Sequence, residues 1–140
     1  MSNVSPEEAH ALLAQGYVYL DVRTEAEFEL GHPPGAVNVP ISLSGAGGMA
    51  PNADFVPVME GAFGRDARLV VGCKAGGRTR RAATALRAAG FTNVLEMPAG
   101  WDGGRDEFGR PLAGWRQKGL PAETGQPADQ SYAAIRARRA

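Results

Sequence analysis

The sequence predicts an α/β domain built on a mainly parallel sheet with helices on both faces. Three observations carry this. Short β-rich runs at 17–21, 36–39, 68–72 and 93–97 alternate with segments of helical character. The joins between them are tight turns, as strand-helix-strand units need. Leu69-Val70-Val71 is a short continuous apolar run between polar or small residues, the pattern of a strand buried on both faces.

Taken in order, Ser5-Pro6-Glu7-Glu8 opens a helix with a capping box. Ser5 accepts from the Glu8 amide and Glu8 reaches back, while Pro6 fills the first helical position, where its missing donor is harmless. This helix is expected to reach about Ala14 and stop near Gly16. A strand over 17–21 follows, then a turn at Val22 and Arg23. Thr24-Glu25-Ala26-Glu27 repeats the capping pattern before a second short helix ending at Gly31. His32-Pro33-Pro34-Gly35 marks a loop, and 36–39 a brief strand closed by Pro40. Residues 42–52, rich in Gly, Ser and Ala, are expected to form a flexible surface connection.

Asp54 is the expected cap of a helix through Phe55, Val58, Met59 and Phe63. Beyond the strand at 68–72, a helix over 79–89 puts Ala82, Ala83, Leu86 and Ala89 on one face and Arg80, Thr84 and Arg87 on another. Gly90 ends it. The strand at 93–97 leads into a Gly-rich, charged insertion over 100–115, and a weak final helix is expected around 132–138. One domain is expected over 1–125, with a C-terminal tail or short helix over 126–140.

Length and composition narrow the function. With 140 residues and an apolar fraction of 44%, the chain has material for one core and not comfortably for two. Fifteen basic residues balance fifteen acidic ones, so no overall field favours nucleic acid or an anionic membrane, and neither is an expected partner. No run approaches the ~20 apolar residues that span a bilayer, and the first ten residues lack a signal peptide's pattern. A soluble, cytoplasmic protein is the expectation. A single cysteine forms no internal disulfide, and with His10 and His32 far apart it is too little for a zinc site of the usual kind. No metal or other cofactor is expected.

What remains is the thiol. Cys73 stands at the end of the buried strand, on the loop Cys73-Lys74-Ala75-Gly76-Gly77-Arg78-Thr79 that runs into a helix. Gly76 and Gly77 allow backbone angles that turn successive amides inward, forming an anion nest reinforced by the helix N-terminus. Lys74 and Arg78 add two positive charges, and such surroundings favour a thiolate over a thiol. A lone cysteine elsewhere is more often an inert buried residue. The strand, loop, glycines, cations and helix start together argue for a nucleophile activated by dipoles and charge, with no histidine close in sequence to serve as base.

The same residues resemble the rhodanese family. Its active loop is a Cys, four residues and an Arg, commonly with Gly before the Arg and Ser or Thr after it, as in Cys73 to Thr79 here. Upstream, Leu20-Asp21-Val22-Arg23, Glu27 and Gly31-His32-Pro33-Pro34-Gly35-Ala36-Val37-Asn38 resemble the family's first signature, with Pro33 where Ile is usual. The resemblance implies a rhodanese-like domain with a central five-stranded parallel sheet. It also implies a thiosulfate sulfurtransferase: Cys73 takes sulfur from a small anionic donor such as thiosulfate, sulfite leaves, and the persulfide passes sulfur to cyanide, a dithiol or a thioredoxin-like protein. Lys74, Ala75, Gly76, Gly77, Arg78 and Thr79 then bind the donor, Thr79 chiefly as a helix-start residue. Asp21 and Arg23 support the site, fixing their own turn more than touching substrate.

Two other readings compete with this one. The related phosphatases place five residues between Cys and Arg to encircle phosphate, whereas four lie between Cys73 and Arg78. A non-catalytic module or redox sensor is the other, although such modules often lack the cysteine. His32 is expected to hydrogen-bond within its loop, His10 needs no function, and Arg80, Arg81 and Arg87 read as a solvated face. Trp101 is expected in the core, with pocket walling by Trp101 and Arg105 the lesser alternative.

Overall fold

The computed structural model describes residues 3–45 and 47–138. Its centre is a parallel sheet of four strands in the order β2-β1-β5-β6. They span Val37–Asn38 (β2), Val18–Asp21 (β1), Arg68–Gly72 (β5) and Asn93–Glu96 (β6). Instead of the expected fifth strand there is an isolated parallel bridge from Asn3 to Glu96, with the Val4 amide donating to Glu96 O at 2.8 Å. Asn3 pairs for one residue only, because Pro6 then starts a helix and turns the chain off the sheet edge.

Helices α1 (Pro6–Leu13), α2 (Glu25–Leu30), α3 (Phe55–Ala62), α4 (Gly77–Ala88) and α5 (Tyr132–Arg136) cover the sheet. Both capping boxes form: Ser5 with Glu8 on α1, and Thr24 with Glu27 on α2. One apolar cluster gathers Leu20, Val71, Leu86 and Met59, and α5 adds Tyr132 and Ile135 to it. The other gathers Tyr19, Phe28, Val70, Trp101 and Trp115. Alternate residues of β1 and β5 therefore feed opposite cores, as a sheet covered on both faces requires.

Several expectations change. Residues 42–52 are no flexible connection: β3 (Ser42–Gly45) and β4 (Gly48–Pro51) form an antiparallel hairpin with Ser42 opposite Pro51 and Ser44 opposite Met49. Ser, Gly, Ala and Pro carry little β-propensity, so the pairing left no mark on composition. Asp54 makes no side-chain cap on α3. Asn52 instead holds the turn that leads into the helix, its Oδ1 accepting from the Asp54 amide at 3.0 Å while its Nδ2 donates to Pro40 O and to the Tyr132 hydroxyl, each at 2.9 Å. Helix α4 begins at Gly77, two residues before the expected start, and the 100–115 insertion contains a short pairing of β7 (Gly104–Arg105) with β8 (Pro111–Leu112). Among the described residues no helix is long and apolar enough to cross a membrane.

Candidate active site

Strands β1 and β5 run side by side in register, Asp21 opposite Gly72. Both end at the same edge of the sheet, so the helices that follow them, α2 and α4, start next to each other there. Residues with the potential to do chemistry collect at that edge, as open parallel sheets generally arrange. Gly72 is required where it stands, because a Cβ there would collide with the Tyr19 hydroxyl.

Cys73 follows. The residue is only 1% exposed and belongs to the first apolar cluster, so the thiol is covered and not on open surface. One polar contact marks it: the Gly76 amide donates to Sγ at 3.0 Å. Gly76 is the N-cap of α4 with φ of 97°, in the left-handed region, and a Cβ on it would lie 2.6 Å from Pro98 O. Only glycine fits there. Gly77 differs, since it is the first helical residue and a Cβ on it meets nothing within 4 Å. Of the two glycines expected to allow inward-turned amides, only Gly76 uses a backbone angle that glycine alone favours.

The back of the loop is made by the 100–115 segment. The Trp101 amide donates to Cys73 O at 2.7 Å, and the Asp102 amide to Lys74 O at 3.0 Å. Both loop carbonyls are thus tied away from the helix N-terminus, leaving the first-turn amides of α4, which have no partner within the helix, as the loop's donors. Close approach of the two backbones explains the glycines: a Cβ on Gly100 would stand 2.5 Å from Lys74 O, and one on Gly104 would stand 2.8 Å from Ala75 O. Trp101 is in the second core cluster, and Arg105 borders a groove beside Ala75, Gly76 and Gly77.

On the front, Lys74 and Ala75 are exposed and Arg78 is half-buried. Arg78 Nη1 donates to Glu27 Oε1 at 2.6 Å and Nη2 to Oε2 at 3.0 Å, a bidentate pair. Glu27 is also held by Thr24, whose amide and Oγ1 donate to Oε1 at 3.0 and 3.1 Å. Partial burial works against the Glu27 charge, yet the hydrogen bonds from Arg78 and Thr24 outweigh it and hold the carboxyl at about 2. The Glu27 hydrogen bond likewise raises Arg78 above its ordinary value. Thr79 is buried, and its Oγ1 has no hydrogen-bond partner among the described residues.

Asp21 and Arg23 pair with each other, and Arg23 also ties their turn to the end of α2. Arg23 Nη2 donates to Asp21 Oδ2 at 2.7 Å and to Gly31 O at 2.5 Å, and the guanidinium lies 5.3 Å from the Trp101 ring centre. Asn38 Nδ2 donates to the carbonyls of both residues, at 3.0 and 2.9 Å. His32 is buried beneath them, Nδ1 donating to Phe28 O at 2.7 Å and Nε2 lying 3.1 Å from Glu123 Oε1. Glu27, read in the sequence only as a helix cap and part of the family signature, and Gly100 both stand against the loop, a contact the sequence reading did not assign to either. A signal for Glu27 existed in its place, three residues into a helix that follows the strand paired with the one bearing Cys73.

Comparison with known proteins agrees with this geometry. The model of the rhodanese-like domain matches residues 5–107. Thiosulfate sulfurtransferase 16, chloroplastic, of Arabidopsis thaliana is 42% identical over 122 residues, which cover 87% of this chain and 92% of that protein. Thiosulfate sulfurtransferase GlpE of Haemophilus influenzae is 28% identical over 121 residues, 86% of this chain and 93% of the relative. The crystal structure of Rv0390 from M. tuberculosis aligns with a TM-score of 0.71 at 28% identity, covering 88% of this chain and 97% of the other. A single parallel sheet, a lone cysteine at the end of its central strand and a family match over most of the sequence converge: this chain belongs to the rhodanese-like domain family.

Proposed function

We propose that the protein is a sulfurtransferase that moves sulfane sulfur from thiosulfate or a similar anion to a thiophilic acceptor, with Cys73 as the carrier. The observation that carries this reading is the Gly76 amide donating to Cys73 Sγ at 3.0 Å at the N-terminus of α4. An amide and a helix N-terminus aimed at sulfur stabilise it as an anion, and do the same for a persulfide one sulfur longer. The thiosulfate sulfurtransferase names of the two relatives support the same chemistry.

In the first displacement the Cys73 thiolate attacks the outer sulfur of thiosulfate. A new S–S bond forms, the S–S bond of thiosulfate breaks, and its electron pair leaves with sulfite. In the second, an acceptor such as cyanide attacks the terminal sulfur of the persulfide, taking it as thiocyanate and returning the thiolate. Lys74, which has no ion-pair partner among the described residues, supplies charge for the sulfonate end. Arg78 spends two N–H groups on Glu27 and keeps three for the donor. A dithiol or a thioredoxin-like protein is the proposed acceptor class.

The test is direct. Incubation with thiosulfate is expected to add the mass of one sulfur atom to the intact protein, with cyanide removing it as thiocyanate and Cys73→Ser never acquiring it. Wild-type protein that gains no sulfur from any sulfane donor would overturn the reading.

A further inference from the structure

The loop is more basic in sequence than in space. Lys74, Arg78 and Arg81 border one groove of about 640 Å³, shared with Ser44 and Met49 of the β3–β4 hairpin, and Glu27 is the one carboxylate among its described lining residues. Of the three cations, only Arg78 has a carboxylate partner among the described residues. That partner is fixed from behind: Thr24 donates twice to Oε1, so the carboxylate is anchored to the start of α2 before it meets the guanidinium. The pair is bidentate, with both side chains more than two-thirds buried, at 17% and 28% exposure.

We infer that Glu27 is a specificity-determining positioning residue, which aligns Arg78 at the end of the active loop and cancels its charge, setting how strongly the site favours doubly over singly charged sulfur donors. This rests on the reading of Cys73 as the sulfur carrier. A guanidinium held by a carboxylate still offers hydrogen bonds but little net field, so charge selection falls to Lys74 and Arg81. Glu27 stays ionised throughout the ordinary pH range, its carboxyl held at about 2, which makes the cancellation constant. A capping glutamate with no further duty needs no guanidinium clamped across from another helix.

The experiment compares two sulfane donors with cyanide as acceptor: thiosulfate, a dianion that releases sulfite, and methanethiosulfonate, a monoanion that releases methanesulfinate. The quantity read is the ratio of their kcat/KM values. Glu27→Gln keeps an oxygen for the Thr24 bonds and uncovers one positive charge. It is expected to raise the thiosulfate preference about fivefold, the scale of one added unit charge a few ångströms away in a partly exposed site, and through KM more than kcat. The gain should shrink as salt is added. Arg78→Gln uncovers the carboxylate and is expected to lower the ratio, while the double variant, neutral again, returns it close to wild type.

A purely structural role changes both donors alike and leaves the ratio still. An unmoved ratio in Glu27→Gln, or a double variant that fails to return it, overturns the inference. If Glu27→Gln does not fold, Arg78→Gln and the double variant decide, and a ratio equal in those two overturns it as well. Wild-type protein that takes sulfur from neither donor defeats the underlying sulfurtransferase reading instead, and leaves Glu27 and Arg78 as a structural clamp.

Discussion

The N-termini of α1 and α2 carry the same motif and have different duties. At each, a hydroxyl accepts from the amide three residues on, and the glutamate there reaches back: Glu8 to the Ser5 amide at 2.8 Å, Glu27 to the Thr24 amide at 3.0 Å. Glu8 is exposed, and among the described residues it joins no ion pair. Glu27 is half-buried and clamps Arg78. Both helices open at the edge where the parallel strands end. Helix α2 follows the strand paired with β5 and brings Glu27 onto Arg78. Helix α1 starts beside Glu96 at the β6 side, where Ser5 and Glu8 border a groove with Gly76, Thr79 and Arg80 but Glu8 meets no cation among the described residues. A capping box fixes a carboxylate in space through local bonds alone, and where the fold brings such a carboxylate to a site it serves as a rigid partner without a side-chain scaffold of its own.

The comparison breaks most readily at Glu27. Glu27→Ala removes the reciprocal cap and leaves a half-buried guanidinium without its carboxylate, so about 2 to 3 kcal/mol of stability should be lost, read by urea denaturation near neutral pH. Acid offers the next largest effect. The folded-state carboxyl, held at about 2 from an ordinary 4.5, contributes stability that is complete above about pH 4.5 and is lost as pH falls toward 2. Allowing for a side chain still 28% exposed, that contribution is about 2 kcal/mol. The gap in denaturation midpoint between wild type and Glu27→Gln should therefore close over that window, and a gap constant from pH 7 to pH 2 refutes the assignment. Thr24→Ala comes third. It should cost about 1 kcal/mol by loss of the cap, and it should weaken thiosulfate use, because Oε1 loses one of its two Thr24 donors.

Local chemistry explains which parts of this were legible in the sequence. Caps at Ser5 and Thr24, the apolar run of β5 and the Cys73 loop each depend on residues within a few positions of one another, and each stands where the sequence places it. The β3–β4 hairpin was not legible, because its strands pair through backbone bonds between residues with weak preference for strand. Nor was the start of α3: Asp54 has the residue type of a cap yet makes no side-chain capping bond, while Asn52 holds the turn before it with Nδ2 tied to Pro40 O and to the distant Tyr132 hydroxyl. Gly76 and Gly77 look alike in sequence, yet only the first adopts positive φ and faces Pro98 O. The pairing of Glu27 with Arg78, and the packing of Gly100 and Gly104 against the loop carbonyls, join segments that lie tens of residues apart in the sequence. No local pattern encodes them.

The smallest effect is the sharpest test of the comparison. Glu8→Ala removes one bond to the Ser5 amide, an exposed donor that water can satisfy, while the Ser5 hydroxyl still accepts from the amide of residue 8. The neighbouring pair of Lys118 with Glu7, 2.8 Å apart, is untouched. A loss of about 0.5 kcal/mol is expected, with no change in the preference between donors of different charge. If Glu8→Ala instead destabilises as much as Glu27→Ala, the two caps are equivalent in energy, and the clamp on Arg78 contributes nothing beyond an ordinary helix start.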